Sequence, residues 1–126
     1  MSQDIISDTL NNIMNAKRAR KKVAKSKAYS KLLIEILKIA KEQGYLEDYK
    51  INEKEKTVKI TFEKLNECKA IKPRFFANMK DIEKYIRRYL PARDFGIILI
   101  STDKGLMTHN EALEKNLGGA LIAYFY

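Results

Sequence analysis

The chain has 126 residues, 45% hydrophobic and 33% charged, and carries a formal net charge of +9 at pH 7. That length accommodates one compact domain or two half-sized lobes with a real core, and the balance of apolar to charged residues excludes an intrinsically disordered chain. A single cysteine, Cys68, excludes a disulfide framework and a cysteine-based metal site, while the positive excess favours polyanionic partners, nucleic acid first and an anionic membrane surface second.

Asp4 or Ser2 is placed to cap a first helix whose apolar residues Ile6, Leu10, Ile13 and Met14 recur at helical spacing, with Asp4 and Asp8 near its positive end. Between residues 9 and 34 every charged side chain is basic, so the positive field is concentrated in the first quarter. The lysine-rich stretch 19–27 breaks the helical pattern, and Val23 and Tyr29 predict a short exposed strand or extended segment that faces the partner. Ser30 caps a second helix with Leu33, Ile36, Leu37 and Ala40 on one face, which ends at Gly44. Residues 45–51 and 57–62 read as the strands of a hairpin, with Val58, Ile60 and Phe62 alternating against Lys59 and Thr61. This order predicts an α+β lobe over residues 1–66, with its helices on a three-stranded sheet.

Residues 70–76 can form a strand, which Pro73 restricts to an edge or a bulge because it lacks an amide donor. A helix follows from about Asp81, with Ile82, Tyr85, Ile86 and Tyr89 on its apolar side and Pro91 as its stop. The run Ile97, Ile98, Leu99, Ile100 predicts a buried strand that delivers the polar loop Ser101, Thr102, Asp103, Lys104, Gly105. Thr108 and Glu111 form a capping box for a short helix reaching residue 116, and Gly118-Gly119 turns the chain into a last strand over 120–126. The second lobe, residues 67–126, is therefore mostly β with short helices. The fold class is α+β in two small lobes.

Helical RNA presents a wide, shallow minor groove lined with 2′-hydroxyls, which calls for short side chains that donate and accept hydrogen bonds. Ser101 and Thr102 do so; Lys104 can reach a phosphate, and Gly105 lets backbone approach closely. The basic first quarter would supply sequence-independent affinity by releasing counterions. Plainer readings stand beside these. A basic run is also simply a solvated face, and Ser101 to Gly105, taken alone, is an ordinary turn composition. Gly118-Gly119 lacks the strand, turn and long helix of a nucleotide site. Ser101, Asp103 and His109 contain the residue types of a hydrolase triad, but no nucleophile elbow accompanies them. One histidine makes no zinc site, and Cys68 reads as an inert buried thiol. Tyr85, Tyr89, Tyr124, Phe125 and Tyr126 could stack bases, though helical spacing puts the first two in a core and alternation puts Tyr124 and Tyr126 on one side. Without a long apolar run or a basic-then-apolar start, a cytoplasmic setting is expected.

Several ordered motifs run along the chain: Asp4-x-Ile6-x-Asp8-x-Leu10-x-x-Ile13-x-Asn15-Ala16, Ser30-Lys31-Leu32, Gly44-Tyr45-Leu46, and Ile71-Lys72-Pro73-Arg74-Phe75. Tyr89-Leu90-Pro91-Ala92-Arg93-Asp94-Phe95-Gly96, Ser101-Thr102-x-Lys104-Gly105-x-Met107-Thr108, Leu117-Gly118-Gly119 and Ala123-Tyr124-x-Tyr126 complete the set. In these motifs the chain resembles the universal small-subunit ribosomal protein family number eight in its archaeal and eukaryotic form. The resemblance implies a non-enzymatic protein of the small ribosomal subunit that binds an irregular helix in the central domain of its ribosomal RNA and supports assembly and translation. Its partners would be that RNA and neighbouring small-subunit proteins, with no cofactor, metal, membrane or small-molecule substrate. The same surface could instead regulate translation of its own messenger RNA. By residue the resemblance implies RNA contacts from Asn12, Asn15, Lys17, Ser30 and Lys31 in the first lobe, and from Ser101, Thr102, Lys104, Gly105 and Thr108 in the second. Asp103 departs from the family, which often has a third small hydroxyl residue there.

Overall fold

The computed structural model describes residues 5–62, 64–72, 75–92 and 95–126. The expected caps Ser2 and Asp4, and Pro73, lie outside the described residues. The chain forms two compact units, Met1–Lys69 and Ala70–Tyr126.

The first unit runs α1 (Ile5–Arg18), β1 (Val23–Ser26), α2 (Lys31–Glu42), β2 (Asp48–Asn52) and β3 (Thr57–Thr61). The sheet order is β1-β3-β2 with both pairings antiparallel. Helical spacing puts Ile6, Leu10 and Ile13 of α1 and Leu33, Ile36, Leu37 and Ala40 of α2 on buried faces, where Val58 and Ile60 of β3 are also buried. Strand alternation places Ala24 and Ser26 of β1 inward and Lys25 outward. Helix α1 buries a polar residue too. Thr9 Oγ1 lies 2.8 Å from the Ile5 carbonyl oxygen and 2.9 Å from Ser26 Oγ, which itself lies 2.6 Å from the Ala28 carbonyl oxygen. The two hydroxyl protons can fill two of these three contacts at a time; whenever one of them is shared between Thr9 and Ser26 it ties helix to strand. Cys68 is buried, with its Sγ 3.7 Å from the Leu10 carbonyl oxygen.

The second unit contains β5 (Phe76–Ala77), a 3₁₀ turn (Met79–Asp81), α3 (Ile82–Tyr89), β6 (Ile97–Thr102), β7 (Gly105–Thr108), α4 (His109–Glu114) and β8 (Gly119–Phe125). Its sheet follows the order β4-β8-β6-β7, where β4 (Cys68–Ala70) is the strand in which the division between units falls, and β5 also pairs with β8. The strand expected over 70–76 is instead two short strands, β4 and β5, on either side of Pro73. The expected polar loop after β6 is the tip of a hairpin, because Gly105–Thr108 turns back along β6 as β7. Ile82 and Ile86 of α3 pack with Ile98, Ile100, Met107, Ala112 and Leu121 in one core. Tyr85 and Tyr89 stack with ring centroids 6.4 Å apart, and Tyr89 stacks on Tyr124 at 5.5 Å. These rings are committed to packing.

Gly118-Gly119 is a close-approach device. A Cβ on Gly119 would collide with the Ser101 carbonyl oxygen, and one on Gly118 would lie 2.6 Å from the Ala77 carbonyl oxygen. Bare backbone therefore lets the start of β8 run between β5 and β6.

Gly119→Ala is expected to lower unfolding free energy by about 1–3 kcal/mol in urea melts, as overpacking against an unyielding backbone does; an unchanged midpoint would refute the close approach. A second expectation concerns Cys68, whose thiol is pushed from its ordinary 9.0 up to about 12, first by burial and then by the Glu67 charge. The unfolded chain loses this proton before the folded one, so the thiol's contribution to stability is complete below about pH 9 and is lost as pH rises towards 12. Paired melts at pH 7 and pH 10.5 should show wild type losing more stability than Cys68→Ala.

Candidate nucleic-acid interface

In the second unit the apolar residues of β6 anchor a polar end. Ile97, Ile98, Leu99 and Ile100 are buried, and the strand then emerges at exposed Ser101 and half-buried Thr102. Pairing of Ser101 with Leu106 and of Thr102 with Gly105 leaves Asp103 and Lys104 as a two-residue tip. Thr102 Oγ1 donates to the Gly105 carbonyl oxygen at 2.9 Å and accepts from the Lys104 amide at 3.1 Å. The hydroxyl braces the turn and keeps one acceptor lone pair for a ligand. Gly105 has φ +107, which a larger residue adopts only with strain, and a Cβ there would meet open space. Lys104 and Asp103 are exposed at the tip. Among the described residues, no group takes the Ser101 hydroxyl.

Ser101, Thr102, Lys104 and Gly105 thus come together on one hairpin. Thr108 does not join them. It is 3% exposed at the other end of β7, and its Oγ1 accepts the Glu111 amide at 3.3 Å as the cap of α4. His109 is 1% exposed, and its Nδ1 accepts the Ile98 amide at 3.1 Å. That ring nitrogen is spent on the β6 backbone, while Asp103 sits at the hairpin tip, so the residue types of a triad are not assembled. Among the described residues no cluster of His, Cys, Asp or Glu is arranged to hold a metal ion.

In the first unit Asn12, Asn15 and Lys17 are exposed on α1, and Asn15 Oδ1 accepts from Arg18 at 3.3 Å. Asn12 also borders a cleft with Asp8, Asn11, Ser26 and Lys27. Ser30 is the cap of α2, its hydroxyl accepting the Leu33 amide at 3.2 Å, and exposed Lys31 opens the helix. One concentration of charge in the unit is hidden by sequence spacing. Lys25 and Lys50 both pair with Lys59, so three exposed lysines form one row across the outer face of the sheet. Glu55 lies 3.4 Å from Lys25, but both side chains are about 60% exposed and the ion pair is worth little. Like charges directly opposite on neighbouring strands repel, and a polyanion would relieve them. No helix among the described residues is long and apolar enough to cross a membrane.

In the second unit hydroxyls and a lysine lie on one hairpin, and in the first unit amide and ammonium donors are exposed. The model of the family Ribosomal protein S8 matches residues 4–126. The chain is 40% identical over 129 residues to the small ribosomal subunit protein uS8 of Archaeoglobus fulgidus, with all of both chains covered. It is 40% identical to uS8 of Nanoarchaeum equitans at the same coverage, and 35% identical to uS8A of Schizosaccharomyces pombe with 98% of each chain covered. With a match along nearly its whole length, the chain belongs to the ribosomal protein S8 family, a non-enzymatic family of structural components of the small ribosomal subunit.

Proposed function

We propose that this protein binds an irregular helical segment in the central domain of small-subunit ribosomal RNA, using surfaces on both units, and so supports subunit assembly and translation beside neighbouring ribosomal proteins. The observation that carries this reading is the β6–β7 hairpin. Its Ser101 hydroxyl is exposed, and the Thr102 side chain holds the tip at both the Gly105 carbonyl and the Lys104 amide. A rigid hydroxyl pair reads the 2′-hydroxyls and base edges of a shallow groove, Lys104 neutralises a phosphate, and Gly105 keeps the approach flat. Thr108 acts as a positioning residue through the cap of α4. In the first unit Asn12, Asn15, Ser30, Lys17 and Lys31 hold the sugar-phosphate backbone, where the lysine row of the sheet adds to the field.

Lys104→Gln should weaken binding to specific and nonspecific RNA alike and flatten the dependence of log affinity on log salt by about 0.7–0.9. Ser101→Ala should leave that slope unchanged and reduce the preference for the irregular central-domain helix over a regular duplex of equal length. Titrations of both RNAs at two salt concentrations measure each effect. Wild-type affinities that are equal for the two RNAs and collapse together with salt would overturn the reading.

A further inference from the structure

Phe76 is the most exposed of the large hydrophobic residues among those described, at 68%. A single exposed apolar side chain is ordinary by itself. Its place in the sheet is not. Phe76 pairs with Ala120, Ala120 pairs on its other side with Ser101, and Ser101 pairs with Leu106. Directly paired residues of antiparallel strands project from the same face. The residues alternating with this row, Ala77, Leu121, Ile100 and Met107, all belong to the core of the unit, so the row itself faces outward. Consistently, Ser101 is exposed and Ala120 and Leu106 are half-buried.

We propose that Phe76 is a base-stacking platform for an unpaired nucleotide of the RNA whose sugar or base edge is held by Ser101. This rests on the RNA-binding reading above and gives the site a source of selectivity. The strands bearing Phe76 and Ser101 are two strand spacings apart, about 10 Å. In the paired row Ala120 stands between them, so a small methyl separates an aromatic side chain from a hydroxyl. A base extruded from an irregular helix has an unstacked π-face to offer the ring, whereas bases within a regular duplex do not. Most of the other aromatic rings of this unit have ring partners: Phe75 stacks with Tyr85 at 5.9 Å and Tyr124 with Tyr126 at 6.1 Å, half-exposed Phe95 lies 6.1 Å from Tyr126, and Phe125 is fully buried. An edge-strand phenylalanine left open beside a ligand-binding hydroxyl fits a nucleobase.

The test uses the full chain and a stem-loop from the central domain of an archaeal small-subunit ribosomal RNA, with 2-aminopurine replacing each unpaired adenine in turn. With wild type and Phe76→Tyr, fluorescence at one position should be quenched on binding. With Phe76→Leu, which keeps an apolar side chain, that quenching should disappear and affinity should fall about tenfold, while affinity for a fully paired stem stays unchanged. Thermal melts of the variants establish that each is folded. If Phe76→Leu binds and quenches as wild type does while Ser101→Ala loses discrimination, the stacking role is overturned and the RNA-binding function stands. If wild type itself does not distinguish irregular from paired stems, both fall together.

Discussion

The second unit depends on one close approach, that of the start of β8 to the backbone of β6. At Gly119 there is room for hydrogen but not for a methyl group beside the Ser101 carbonyl. Because β8 pairs with β5 and β4 on one side and β6 on the other, the same glycine sets the spacing between β8 and β6, the strand that carries Ser101 and Thr102. The β6–β7 hairpin, its Thr102 brace and the outward row through Ser101 follow from that placement. The double glycine thus acts through backbone: it touches the backbone of β5 and β6, and that backbone presents the hydroxyls.

Rigidity and charge are divided between the two units. In the second, few cations lie at the candidate contacts, which are short polar groups whose positions are fixed by a buried strand. In the first, the cations are numerous, exposed and partly in mutual repulsion, as at Lys25, Lys59 and Lys50. A free protein holding three lysines side by side gives up some stability, which phosphate contacts would return. On the RNA-binding reading proposed above, charge would supply affinity and the hairpin would supply selection.

Buried polar groups near the site serve the scaffold. The Thr108 hydroxyl caps α4, and His109 Nδ1 receives the Ile98 amide, so both help fix the strand from which Ser101 emerges. Thr9 and Ser26 do the same for α1 and β1. In each case a residue type that invites a chemical role in one dimension satisfies a backbone group in three.

Much was legible in one dimension because local periodicity and caps are local properties. The apolar spacing of α1 and α2, the Ser30 and Thr108 caps, the alternation of β3 and the buried run of β6 all follow from side chains meeting a single face. The charge polarity of the first quarter and the polar end of β6 were equally plain. Strand β7 was not, since Gly105–Thr108 is too short to show alternation and its pairing supplies what its sequence lacks. Nor was β5, two residues long beside a proline. What only the tertiary structure decided is who stands beside whom across the sheets. Alternation tells which residues share a face of one strand but not which strand lies next to it or in what register. That lateral choice joined Lys25 to Lys59 and Lys50, set Phe76 in line with Ser101, and withdrew Thr108 and His109 into the interior. The sequence by itself determined the elements and the sign of the charge that a partner would carry, because both depend on neighbours along the chain; which strand residues stand side by side was decided by pairing, because they are distant in sequence and meet only in the folded sheet.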